Sequence, residues 1–187
     1  GTIDNPDKPR VAMPRKPIAP VLEAIPSLLK TLPNWVNWRS ENRTGKNGEP
    51  VKTKVPYQPR PGNMRARANS PATWGTYDQA VTRYQELLRY HQESLEHYGI
   101  QTSDTLCYAG IGIVLKPDCN IVGIDIDSCA SLENGTLSDF ALSVLEEVRP
   151  YAELSPGGGG IRAFVRANLA PKGPRVDHKK KFEIYNN

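Results

Sequence analysis

The sequence predicts an α+β fold, an antiparallel or mixed sheet with helices on one face behind a section built from helices and a hairpin. Two β-rich runs, "YAGIGIVL" and "NIVGIDID", flank a turn-like "KPDC". Apolar residues recur at helical spacing over 76–98 and 136–150, and "AELSPGGGGIRAFVRA" reads as a strand entering and leaving a glycine turn. At 187 residues the chain suffices for one substantial domain or two small ones, and its 38% hydrophobic content supports an ordinary core.

Residues 1–20 carry five prolines and four Lys or Arg with little apolar periodicity, the pattern of an extended arm or linker. "IPSLLKTLPNW" then predicts a short helix with Pro26 in its first turn and Pro33 closing it. Trp35, Val36 and Trp38 begin a strand, "NRTGKNGEP" supplies a turn, and "VKTKVPYQPR" returns. The hairpin sets Lys52 and Lys54 on one face, with Arg39, Arg60, Arg65 and Arg67 nearby in sequence. Such a run of charge is either a solvated surface or a contact for a polyanion.

Thr76 and Gln79 form a capping box, and Tyr77, Ala80, Val81, Tyr84, Leu87, Leu88, Leu95 and Tyr98 follow as the apolar stripe of a long helix ending at Gly99. His91 continues the stripe and reads, like His97, as a packed or boundary residue. The two β-rich runs are most simply an antiparallel pair in one sheet. A second helix is predicted from Thr136, capped with help from Asp139. Leu137, Phe140, Ala141, Val144, Leu145 and Val148 are its buried stripe as far as Pro150. It should pack on the isoleucine face of "IVGIDID".

Charged residues make up 24% of the chain and the net charge is +4, which suits a polyanionic partner without requiring one. Cys107, Cys119 and Cys129 are odd in number and lack C-x-x-C spacing, so neither a disulfide framework nor a zinc knuckle is supported, and reduced thiols are expected. No apolar run approaches the roughly 18 residues that span a bilayer, and no signal-peptide core is present at the start. The expectation is a soluble protein of the cytoplasm.

Asp125 and Asp127 sit two positions apart in a strand-like run, so both should point to one face about 6 to 7 Å apart, with Ile124 and Ile126 opposite. Two ionised carboxylates on one face repel and resist burial, so water, cationic side chains or metal must compensate. Gly157 to Gly160 let a backbone approach a ligand closely and turn N–H groups toward an anion, with Ser155 at the rim. Arg162 follows on the face opposite Ile161, Ala163 and Val165. In "KFEIYNN", Phe182 and Ile184 face one way and Glu183 the other, so a third acid can reach the aspartates' face. Three acids beside an anion cradle match two-metal phosphoryl transfer, in which carboxylates hold a pair of ions roughly 4 Å apart.

The succession of "GIDIDSC", "LSPGGGGIRAFV" and "KFEIYNN" resembles the three motifs of the archaeo-eukaryotic primase superfamily: D-x-D, then S-x-G-x-G-x-H, then a hydrophobic-acid pair. "WVNWRSENRTGKNGEPVKTKVPYQPR" and "NSPATWGTYDQAV" are similar to the amino-terminal part of its phage and plasmid primase–polymerase branch, so the resemblance covers roughly residues 25–187. It implies an RRM-like catalytic core with helices on one face, plus an N-terminal helix-hairpin-helix-containing α/β subdomain. Within a domain over 21–187, these divide at about residue 100, at 21–100 and 101–187.

The resemblance further implies template-directed nucleotidyl transfer from NTP or dNTP on single-stranded DNA. Asp125, Asp127 and Glu183 would then be the catalytic, Mg²⁺- or Mn²⁺-binding acids. Ser155, Gly158, Gly160 and Arg162 would bind the nucleotide with Lys54, while Lys52, Arg60, Lys172, Lys179 and Lys180 track the nucleic acid. Primer and template are the implied partners, with a helicase module in a longer replication protein and a nucleoid-associated setting. Arg162 stands where the family motif usually has histidine; it can bind phosphate bidentately but does not titrate near neutrality. The alternative is a single-stranded nucleic-acid-binding replication module that is catalytically incomplete.

Overall fold

The computed structural model describes residues 18–98, 109–168, 175–178 and 181–186. A short helix α1 (Ser27–Lys30), a hairpin of β1 (Trp35–Thr44) and β2 (Pro50–Tyr57), and a long helix α2 (Tyr77–Tyr98) come first. Then follow β3 (Gly110–Ile113), β4 (Ile121–Ile126), α3 (Asp139–Val148), β5 (Tyr151–Leu154), β6 (Ile161–Arg166), β7 (Arg175–Asp177) and β8 (Phe182–Tyr185). Two antiparallel sheets result, one ordered β2-β1-β3 and the other β5-β6-β4-β8-β7. The α+β class stands. No helix among the described residues is long and apolar enough to cross a membrane.

The expected pairing of "GIGI" with "IVGIDID" is corrected. β3 lies against β1, with Trp35 opposite Ile113 and Trp38 opposite Gly110, while β4 heads into the second sheet between β6 and β8. The physical reason is the intervening Pro117–Cys119 turn of 3-10 helix, which ends on Asn120 in the left-handed conformation (φ 53°) and so redirects the chain instead of closing a hairpin. Trp38 also favours this pairing: its indole lies across the bare backbone of Gly110 and Gly112, where a Cβ on Gly110 would come within 2.9 Å of Trp38 Nε1.

α2 begins as expected, Thr76 N–H donating to Gln79 Oε1 (2.9 Å) and Gln79 N–H to Thr76 Oγ1 (3.2 Å). Ala80, Tyr84 and Ser94 are buried and Leu87 and His91 half-buried, so the covered stripe runs 80, 84, 87, 91, 94; Leu88 and His97 are exposed because they lie to either side of it. The side chains of Leu95 and Tyr98 lie outside the described residues. Asn37, fully buried on β1, donates to Ala80 O at 2.9 Å and ties this helix to the sheet. α3 starts later than Thr136, at Asp139, because Ser138 is the cap and accepts from Ala141 N–H.

Packing follows the alternation of the strands. Ile124, Ile126, Ile161 and Ala163, with Phe182 and Ile184, form one face and bury against Ala141 and the apolar stripe of α3. The opposite face is divided. At one end Ile121 and Phe164, flanked by Tyr151 and Tyr185, pack against Ile25, Leu29, Trp35, Ala80 and Leu115, so a single apolar cluster joins the two sheets. Only the other end of that face is free for chemistry.

Candidate active site

Cross-strand register builds a polar row on that free end. Glu153 of β5 is opposite Arg162 of β6, Arg162 is opposite Asp125 of β4, and Asp125 is opposite Glu183 of β8. Directly opposed residues share a face, so four charged side chains line up across four strands. Arg162 grips Asp125 bidentately, Nε donating to Oδ1 at 2.8 Å and an NH2 group to Oδ2 at 3.1 Å. Burial works against the Arg162 charge, but the Asp125 hydrogen bonds and the negative surroundings from Tyr185 and Glu153 hold its pKa above the ordinary value. Loss of hydration raises the Glu153 pKa, against the Tyr151 hydrogen bond and the attraction of Arg162.

Tyr185 is a further member that the sequence reading passed over, although the alternation of "FEIY" puts it on the Glu183 face. Its ring crosses Gly123 of β4, where a Cβ would stand 2.6 Å from the ring. Its pKa is pushed up to about 12, by burial first and by the nearby Asp125 and Glu183 carboxylates, against the pull of Arg162. From the first sheet, Lys54 reaches the same region and senses Arg162, Asp125 and Asp127. Loss of hydration and repulsion from Arg162 lower its pKa, while the two aspartates oppose that shift, although part of the side chain remains open to solvent. Its Nζ lies 5.6 Å from the centroid of the Trp38 ring.

Asp127 does not extend the row. β4 stops at Ile126, Ser128 turns the chain with φ 54°, and Asp127 N–H donates to Lys181 O at 2.9 Å. The exposed Asp127 therefore borders an open cleft of about 670 Å³ shared with Ser128, Ser155, Gly157, Gly160 and Lys181. The glycine turn is stiffened from within: Ser155 N–H donates to Gly160 O at 2.8 Å, Gly158 N–H to Ser155 O at 2.7 Å, and Gly160 N–H to Ser155 Oγ at 3.2 Å. Gly158 has φ 78°, in the left-handed region that glycine tolerates. Gly160 is held closest, since a Cβ there would stand 2.7 Å from Ile126 O. Among the described residues no three His, Cys, Asp or Glu side chains are grouped to hold a metal ion.

The basic residues divide as well. Lys52 is exposed on the hairpin, two residues from Lys54 on the same face. Arg60 instead donates to Ala72 O (2.9 Å) and Trp74 O (3.1 Å), bracing its own loop. Arg39 and Arg65 both pair with Glu41, whose carboxylate also accepts from Tyr57; that hydrogen bond, with help from the arginines, holds Glu41 below the usual carboxylate range. The expected contacts Lys172, Lys179 and Lys180 lie outside the described residues. Lys181, the last residue of the 172–181 loop expected to track the template backbone, lines the cleft.

No family model matches the chain. It is similar to a protein named DNA Primase-polymerase from Nitratiruptor phage NrS-1, 29% identical over 149 residues, which cover 80% of this chain and 16% of that relative. The chain thus spans a small part of the relative's length.

Proposed function

We propose, from a similarity that supports assignment to the primase–polymerase family, that this chain is a template-directed nucleotidyltransferase domain extending or making primers on single-stranded DNA. The observation that carries the reading is the direct cross-strand opposition of Asp125 and Glu183 on the face bordered by the glycine turn. The five-stranded sheet with α3 behind it serves as the RRM-like core in this reading, and α1, the β1–β2 hairpin and α2 as its amino-terminal companion.

Asp125 and Glu183, opposed on adjoining strands, and Asp127, one residue past the end of β4, carry the hard carboxylate oxygens that Mg²⁺ and Mn²⁺ take; a metal here would draw these three together and displace Arg162 from Asp125. An ion held there would supply Lewis-acid chemistry, favouring ionisation of a primer 3′-hydroxyl and offsetting charge on pyrophosphate. The chain's own groups do the holding. Ser155 and the glycine turn cradle the triphosphate of an NTP or dNTP, with Gly158 and Gly160 shaping the turn and Arg162 and Lys54 supplying positive charge nearby. Lys52 draws in the template backbone. A helicase module elsewhere in a longer protein is part of the same proposal. Metal-dependent primer extension by the unaltered chain, abolished by Asp125→Ala with Asp127→Ala, is the expected result; extension that survives the double substitution rejects the reading.

One observation favours a second reading. Both carboxylate oxygens of Asp125 are taken by Arg162, an arrangement suited to a domain that binds single-stranded DNA without catalysis. That reading expects salt-sensitive DNA binding with no nucleotide incorporation at any Mg²⁺ or Mn²⁺ concentration.

A further inference from the structure

We propose that Lys181 is the cation that grips the polyphosphate of the nucleotide in the cleft beside the glycine turn. The assignment rests on the nucleotidyltransferase reading above and deepens it, because the sequence motifs point instead to Arg162. Arg162 directs its Nε and one NH2 group at Asp125, so it reaches an anion only by giving up a bidentate ion pair.

Lys181 is differently placed. It precedes β8 by one residue, and because Phe182 is opposite Ile126, Lys181 falls beside Asp127 at the sheet's end, where its carbonyl accepts the Asp127 N–H. Its side chain is exposed in the cleft, and Nζ donates to Ser128 Oγ at 3.1 Å. An ammonium has three donors, so two remain for a ligand. Lys181 forms no ion pair among the described residues.

The backbone opposite is prepared for the same ligand. The N–H groups of Gly157 and Gly159, both on the cleft wall, have no acceptor among the described residues, whereas those of Gly158 and Gly160 are spent within the turn. Two unspent amides on one side and an ammonium on the other make a receptor for a multiply charged, flexible anion. A point charge on a long stem suits a polyphosphate tail better than a rigid fork would. Lys181 also offsets the Asp127 carboxylate, which otherwise repels phosphate from the same cleft.

The test is equilibrium binding of a non-hydrolysable nucleoside triphosphate, the corresponding monophosphate and a single-stranded oligonucleotide, without catalysis. The unaltered chain is compared with Lys181→Gln and Lys181→Arg, and thermal melting checks that each variant is folded. Lys181→Gln is expected to weaken triphosphate binding about tenfold, leave monophosphate and oligonucleotide binding unchanged, and be largely restored in Lys181→Arg. Triphosphate binding that Lys181→Gln leaves intact overturns the assignment and spares the function. A loss confined to the oligonucleotide also overturns it, moving Lys181 to the nucleic-acid path. An unaltered chain that binds no triphosphate overturns both.

Discussion

Arg162 and Asp125 face each other across β6 and β4 as a bidentate ion pair, with Nε to Oδ1 at 2.8 Å and NH2 to Oδ2 at 3.1 Å. The Arg162 side chain keeps 37% of its exposure and Asp125 24%, so the pair is screened in part yet fixed in geometry.

Removing the arginine leaves a half-buried carboxylate without its partner. Arg162→Met is expected to destabilise the fold by about 1 to 2 kcal/mol, the range for a charge-assisted pair discounted for its exposure. Arg162→Lys should recover only part of this, since an ammonium cannot reproduce the fork. Urea midpoints for Arg162→Met, Asp125→Asn and the double variant form a cycle. A coupling near zero would show the two hydrogen bonds to be energetically idle.

Gly160 and Gly159 make a contrasting pair. A Cβ on Gly160 meets the Ile126 carbonyl, which is backbone and cannot swing aside, whereas one on Gly159 meets only Leu132 Cδ2 at an ordinary 3.5 Å. Gly160→Ala should therefore cost about 1 to 3 kcal/mol. Gly159→Ala should stay near neutral in the same denaturation experiment. Equal costs would mean that space beside β4 does not govern the turn.

Tyr185 predicts an alkaline effect. Its folded pKa is about 12, against an ordinary value of 10.0, because of burial first and then the acids around it. Below pH 10.0 the hydroxyl is protonated in both folded and unfolded chains, and its contribution is fully present. Between the two values the unfolded chain gives up the proton and the folded one retains it, so stability falls with rising pH until it levels beyond about 12. Tyr151 shares this range, so the comparison of Tyr185→Phe with the unaltered chain isolates one hydroxyl. Tyrosinate absorbance and urea midpoints across this range should show a shallower decline in the variant; identical slopes would remove Tyr185 from the effect.

The elements that the sequence reveals are those whose signal is local. The α3 stripe from Phe140 to Val148 and the alternation that puts Ile161 and Ala163 behind Arg162 need only neighbouring residues, and both are found. The pairing of β3 is not local: "GIGI" suits the edge of either sheet, and Trp38, far upstream, lies across its glycines. The same holds for the site. The order of acids and glycines is visible in the sequence, but the Arg162 clasp on Asp125 depends on strand register, and Lys181 enters the cleft because β8 begins opposite Ile126. Ser138 takes the cap from Thr136 for a similar reason, as Ser138 N–H and Thr136 O are already occupied in the loop beside Cys129 and Ser131.

The position of β4 between β6 and β8 also has a consequence in time. Both neighbours lie later in the chain, so during synthesis β4 leaves the ribosome with two bare edges and waits for each in turn. Closing such long separations is slow compared with forming α3 or the hairpin. A half-made chain thus presents Asp125 and Asp127 before Arg162 can neutralise one and before Glu183 can join them. The row from Glu153 to Glu183 is complete only once β8 has paired with β4.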